Sequence, residues 1–141
     1  MQNRPRVILD TNILLVSISS KSKTHWIFKA LLKEKFELVI SNEILTEYEE
    51  IISNKYSKRV AEDIIRVLLL LPNICKVDVY YNWNLLHVDE TDNKFVDCAV
   101  ASNSDYIVTA DKHFLMLESI GFPYLNIINI DEFKKILRFI K

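Results

Sequence analysis

The sequence has 141 residues, half of them hydrophobic and 26% charged, with a formal net charge of −1 at pH 7. That balance reads as a single globular domain over 1–141 with its own core, not as a disordered chain, and the near-neutral charge does not advertise a nucleic-acid binder. No signal peptide is visible, the longest apolar run (VLLLL, 67–71) is far too short for a bilayer span, and the one glycine, Gly121, excludes glycine-rich nucleotide loops, so a cytoplasmic, soluble protein is expected.

In chain order, RVILD (6–10) reads as a strand that ends on a carboxylate. No element is assigned to 11–23. THWIFKALLKEK (24–35) carries Trp26, Ile27, Ala30 and Leu31 at helical spacing, with Thr24 as N-cap. FELVIS (36–41) is a second strand, and Ser41 caps a helix to about Ile52 with Ile44, Tyr48, Ile51 and Ile52 on one face. Ser57 opens a helix over 58–71 that Pro72 stops. ICKVDVY (74–80) alternates as a third strand, 92–103 is helical, and YIVT (106–109) is a strand. A short helix at 112–119 ends near Gly121, YLNIIN (124–129) is the last strand, and Asp131 caps a C-terminal helix. Cys75 and Cys98 both sit among apolar residues, without a CxxC, and are expected to be buried free thiols of a reducing compartment.

Strand and helix alternate throughout, which implies an α/β domain with a largely parallel central sheet and helices on both faces. In such sheets the ligand crevice lies beyond the carboxyl ends of the strands. Asp10 and Asp111 both follow strands there, although each also has the simpler reading of a helix cap. Glu47 borders the apolar stripe of its helix. Asp97 lies in KFVDCAVA, a helix apolar on most sides, where an ionised carboxylate needs a partner and the nearest cation, Lys94, is expected to be solvated. Asp92, five residues earlier, reads as that helix's cap and is close enough to join the group.

Acidic side chains gathered in one crevice repel each other, and a divalent cation relieves the repulsion. Oxygen-only ligation selects Mg2+ or Mn2+ over zinc. His25, His87 and His113 have no metal-ligand spacing and read as surface or loop residues. Carboxylate-held dications activate water and stabilise the leaving oxygen of a phosphodiester, and no Ser–His nucleophile is apparent.

The start of the chain (strand–Asp–Thr–Asn), SNEILTE (41–47) and DNKFVDCAVASNSDYIVTAD (92–111) together resemble a PIN domain. More narrowly they resemble the PIN-family toxins of bacterial and archaeal toxin–antitoxin pairs, relatives of the VapC-like ribonucleases. The resemblance runs from about residue 5 to 130. It implies a three-layer α/β/α sandwich with a central, mainly parallel sheet, and Mg2+- or Mn2+-dependent endonuclease activity on RNA. By position, Asp10, Glu47, Asp97 and Asp111 match the family's four acidic residues. Asn12 and Thr109 match polar helpers that orient the carboxylates, and Asp92 matches an additional acidic position. The resemblance also implies a homodimer and a small antitoxin partner.

For RNA, phosphate contacts are expected from Lys21 and Lys23, before the helix at 24–35, from Lys55, Lys58, Arg59 and Arg66, and from Lys112 and His113 beside Asp111. A solvated charged face is the plainer reading of each cluster. Trp83 is a candidate for base stacking, and Tyr48 reads better as core. Two alternatives stay open. An aspartyl-nucleophile phosphatase or receiver domain also places Asp after a first strand, but the phosphatase pattern wants a second Asp where Asn12 stands, and a receiver wants adjacent early acidic residues and an acceptor Asp on a middle strand, whereas the strand at 74–80 carries Asp78 well inside it with Tyr80 and Tyr81 at its end. The other is a non-catalytic PIN-like module that acts through protein partners.

Overall fold

The structure is a computed structural model that describes residues 4–86, 92–115, 117 and 124–138. Its strands are β1 (Arg6–Leu9), β2 (Glu37–Ile40), β3 (Ile74–Lys76), β4 (Tyr106–Val108) and β5 (Ile127–Ile128). The helices are α1 (Thr11–Ile18), α2 (His25–Leu32), α3 (Asn42–Lys55), α4 (Lys58–Leu70), α5 (Asn93–Ser102), α6 (Lys112–Leu115) and α7 (Ile130–Arg138). The strands form one parallel sheet in the order β3-β2-β1-β4-β5, surrounded by helices. This is the expected three-layer α/β/α sandwich.

The order places β1 at the centre. Val7, Ile8 and Leu9 are wholly buried, as befits a parallel strand covered on both faces. From β1 the chain winds outward through β2 to β3, then returns to lay β4 against the other side of β1. The winding reverses between β1 and β4, and in open α/β sheets that switch point is where a crevice forms at the carboxyl edge. α5 packs over β1, β2 and β4, and α3 and α4 pair as a helical hairpin. Phe133 of α7 meets Trp26 of α2 and Phe36 at ring-centroid distances of 5.9 and 5.1 Å.

Several local expectations need correction. α1 is an unassigned helix: TNILLVSI is apolar nearly all round, so it carries no amphipathic stripe to announce it. Thr24 holds the N-cap position of α2, but its hydroxyl donates to Val16 O instead of closing the helix. β3 ends at Lys76 because it is an edge strand whose partner β2 stops at Ile40; Val77 N–H makes the last bond, to Ile40 O. β5 is two residues long, matched to its short partner β4. Asn129, not Asp131, caps α7: Glu132 N–H donates to Asn129 Oδ1 and Asn129 N–H to Glu132 Oε1, a reciprocal capping box. Ser41 and Ser57 cap as expected, accepting from Ile44 and Val60 N–H. α6 is described for four residues, and the remainder of the expected helix to 119, its end at Gly121, and His87 fall outside the described residues.

Cys98 is buried, but Cys75 is only half-buried and accepts a hydrogen bond from an Arg6 guanidinium nitrogen at 2.8 Å. His25 lies on α2, half-buried, with Nδ1 2.8 Å from Ser17 O.

Candidate functional site

Asp10 follows β1 directly and occupies the N-cap position of α1. A capping carboxylate would bond the amide at the second or third helical position, but this side chain makes no such cap hydrogen bond. Its Oδ2 instead accepts the hydroxyl of Thr109, at the end of β4, at 2.8 Å. Thr109 Oγ1 in turn accepts Asp111 N–H at 3.0 Å, so one threonine ties both strand-terminal aspartates together. The backbone at Asp10 is fixed from two sides: Asp10 N–H donates to Val108 O, and the buried Tyr48 hydroxyl donates to Leu9 O at 2.5 Å. Tyr48 is therefore a core residue that supports the site from below. Its own pKa lies well above the usual tyrosine range, raised by burial and then by the Asp10 charge.

Asp10 is 7% exposed. Burial pushes its pKa up, the charges of Asp111 and Glu47 push it further, and the Thr109 hydrogen bond opposes both. Asp111 also caps the start of α6, its Oδ1 accepting His113 N–H at 2.9 Å, as the cap reading expected.

Glu47 lies on the second turn of α3, with both carboxylate oxygens engaged. Oε2 accepts the hydroxyl of Thr11, and Oε1 meets Lys94 Nζ at 2.8 Å. Lys94 is thus not a solvated lysine but a mostly buried counterion, reaching back from the first turn of α5 across the ring of Phe95. Asn12, the expected helper, is exposed on the first turn of α1 and holds neither carboxylate. Its neighbour Thr11 does that work, because the helical turn after Asp10 points position 11 inward and position 12 out. The adjacency of Thr11 to Asp10 was the available signal.

Asp97 is 5% exposed and accepts Trp83 N–H at 2.9 Å. Burial raises its pKa, the Trp83 bond lowers it, and Glu43 raises it again. Glu43 went unnoticed in the sequence, although it stands four residues before Glu47 and so shares a face of α3. The carboxylates acting on Asp10 are Asp111 and Glu47, whereas the one acting on Asp97 is Glu43. Asp92 is partly buried at the N-cap position of α5 without making a cap hydrogen bond.

Among the described residues, no three Asp, Glu, His or Cys side chains stand close enough to form a finished metal cage. Charge and donor type nevertheless suit a hard dication. The donor atoms of Asp10, Glu47 and Asp111 are all oxygen, and the charges of Asp111 and Glu47 add to burial in raising the pKa of Asp10. The donor chemistry therefore suits Mg2+ or Mn2+.

The basic residues divide. Lys112 is exposed next to Asp111, with His113 Nδ1 3.3 Å from Asp111 Oδ1. Lys21 and Lys23 follow the end of α1 remote from Asp10, and Lys55, Lys58 and Arg59 lie at the α3–α4 turn, beyond Glu47 by more than two helical turns. Arg66 pairs with Asp63. Asp78 is exposed past the end of the edge strand, not on a middle one, which removes the receiver alternative.

A family model described as a PIN domain matches residues 6–113. No curated protein matches the chain. Among solved structures, the chain is similar to VapBC2 from Rickettsia felis bound to a DNA fragment from their promoter, with a TM-score of 0.60 and 19% identity over 88% of this chain and 98% of that one. It is similar to VapC20 of Mycobacterium tuberculosis, a sarcin–ricin-loop-cleaving toxin, with a TM-score of 0.60 and 15% identity over 79% and 94% of the two chains. FitAcB from Neisseria gonorrhoeae follows, with a TM-score of 0.58 and 15% identity over 88% and 97%. At these identities the structures establish a shared fold.

Proposed function

The chain belongs to the PIN domain family, and on that premise we propose that it is a metal-dependent endoribonuclease that acts as the toxin of a toxin–antitoxin pair. The observation that carries the reading is the carboxylate set at the switch point of the sheet. Asp10, Asp111 and Glu47 share one field there, and buried threonine hydroxyls hold two of them in fixed orientations. The likeness of the fold to a loop-cleaving toxin supports the same reading.

Asp10, Glu47 and Asp111 would hold Mg2+ or Mn2+, with Asp97 and Asp92 joining from α5. A bound dication would supply a water of lowered pKa and neutralise phosphate charge. The chain does the positioning. Thr109 fixes the rotamer of Asp10, Thr11 fixes Glu47, and Tyr48 fixes the strand end from which Asp10 projects. Lys112, exposed next to Asp111, would meet a phosphate there. A small antitoxin and a second copy of the chain are the proposed protein partners, in the cytoplasm; no helix among the described residues is long and apolar enough to cross a membrane.

Incubation of the purified protein with RNA in Mg2+, Mn2+ or chelator tests the reading. Cleavage should need the metal and vanish in Asp10→Asn and Asp97→Asn while circular dichroism stays native. Full cutting by both variants would show that the site is misassigned. The non-catalytic module is favoured by one observation, the Lys94 ammonium already seated on Glu47. Calorimetric titration with Mn2+ separates the two: equally weak binding by the parent and Asp97→Asn supports the module.

A further inference from the structure

The ion pair between Lys94 and Glu47 is built from parts that differ in freedom. The backbone under Lys94 is anchored: Asn93, buried at the start of α5, accepts Leu86 N–H at 2.8 Å through Oδ1 and donates to Leu86 O at 3.1 Å through Nδ2. Glu47 is anchored as well, because its Oε2 accepts the hydroxyl of Thr11, the neighbour of Asp10. What remains movable is the four-carbon stem of Lys94, which carries its ammonium 2.8 Å from Glu47 Oε1 and 5.4 Å from the centre of the Phe95 ring. Neither side chain is sealed off. Both line a cavity of about 520 Å3, together with Asn42, Glu43, Thr46 and Glu50.

Glu43 and Glu50 are exposed, one turn before and one turn after Glu47 on the same side of α3. A lysine that leaves Glu47 therefore has another carboxylate to meet in either direction, without any change in the backbone. The charges supply the reason to leave. With Oε2 taken by Thr11, Oε1 is the oxygen that Glu47 offers to a cation. An ammonium and a dication on that one oxygen would bring three positive charges together. The dication has the stronger claim, because it carries twice the charge and would draw as well on Asp10, on which the charge of Glu47 already acts.

We propose that Lys94 is a tethered place-holder for the metal: it neutralises Glu47 in the metal-free protein and is displaced toward Glu43 or Glu50 when Mg2+ or Mn2+ binds. This deepens the ribonuclease reading and rests on it. Lys94 is then a positioning residue that sets how tightly the site takes metal. It keeps a half-shielded carboxylate paired until the dication arrives, where an unpaired one would be costly. On this account a lysine seated on Glu47 is no mark of a non-catalytic protein.

The test has two arms. In the first, calorimetry follows Mn2+ binding to the parent, Lys94→Met and Lys94→Arg, with circular dichroism as the check on folding. Lys94→Met should bind Mn2+ roughly tenfold more tightly, since the metal no longer has to break a partly shielded ion pair, and Lys94→Arg should bind no more tightly than the parent. An affinity in folded Lys94→Met equal to the parent's, or lower, overturns the proposal. The second arm needs no variant: brief acetylation of the parent, read by mass spectrometry, with the exposed Lys135 as internal reference. Mg2+ at a concentration that saturates the site should raise labelling of Lys94 severalfold against Lys135, and Asp10→Asn should lose that rise. Lys94 labelling unchanged by Mg2+ overturns the proposal even where metal-dependent cutting of RNA is seen, and the nuclease reading then stands without it. A parent that binds neither dication removes the metal site and this inference with it.

Discussion

The Thr109 hydroxyl donates a 2.8 Å hydrogen bond to Asp10 Oδ2 from 99 residues further along the chain. Thr109 Oγ1 also accepts Asp111 N–H, so this side chain sets the spacing of the two strand-terminal aspartates. Thr109→Val keeps the shape and removes both functions. Urea unfolding at pH 7 should show a loss of about 1–3 kcal/mol, the cost of a buried polar group left without its partner. Thr109→Ser should recover most of it. A valine variant as stable as the parent would mean that the hydroxyl does not hold Asp10.

Asp10 has a folded-state pKa above its ordinary 3.8, chiefly from burial. Between those two values the folded chain keeps a proton that the unfolded chain has released. Stability therefore falls as pH rises through that window. Asp10→Asn should raise the melting temperature of the metal-free protein at pH 7 by roughly 2–4 °C, equivalent to about 1 kcal/mol at this size. The gap should close as pH is lowered toward 3.8. Mn2+ should raise the melting temperature of the parent and not of the variant. Melting curves from pH 4 to 8 with parallel slopes would contradict the assignment.

Lys94 neutralises Glu47 at 2.8 Å, with both side chains mostly shielded from solvent. Lys94→Met should destabilise the metal-free protein by about 1–2 kcal/mol, between the values for exposed and buried pairs. Saturating Mn2+ should shrink that difference, because a dication then supplies the positive charge. A difference unchanged by metal would place Glu47 outside the metal site.

The Cys98 thiol is pushed up to about 12 by burial, with Cys75 the next cause. At pH 8 its thiolate fraction is so small that reaction with a thiol reagent should run roughly a thousandfold slower than in the unfolded chain. Mass spectrometry of the partially modified protein should find Cys75 labelled first. Equal labelling of both cysteines in the native state would show that Cys98 is accessible.

Much of the site could be read before any coordinates existed. Asp10 and Asp111 follow strand patterns whose period is local, and the parallel-sheet rule sends both to one edge. Asp97 stood out because a carboxylate inside KFVDCAVA breaks a pattern that every neighbour keeps. The family pattern gave Glu47 and Thr109 by position. Hidden from that reading were the pairings: Thr11 in place of Asn12, Lys94 folded onto Glu47, Glu43 beside Asp97, and Asn129 in place of Asp131 as a cap.

Periodicity and capping are written into a few consecutive residues, and so the strands, the helices and the carboxylates at their ends belonged to the sequence alone. Which oxygen meets which hydroxyl depends on how α1, α3 and α5 rotate as they pack around β1 and β4. Those rotations are fixed by contacts between residues tens of positions apart, and only the assembled tertiary structure decides them.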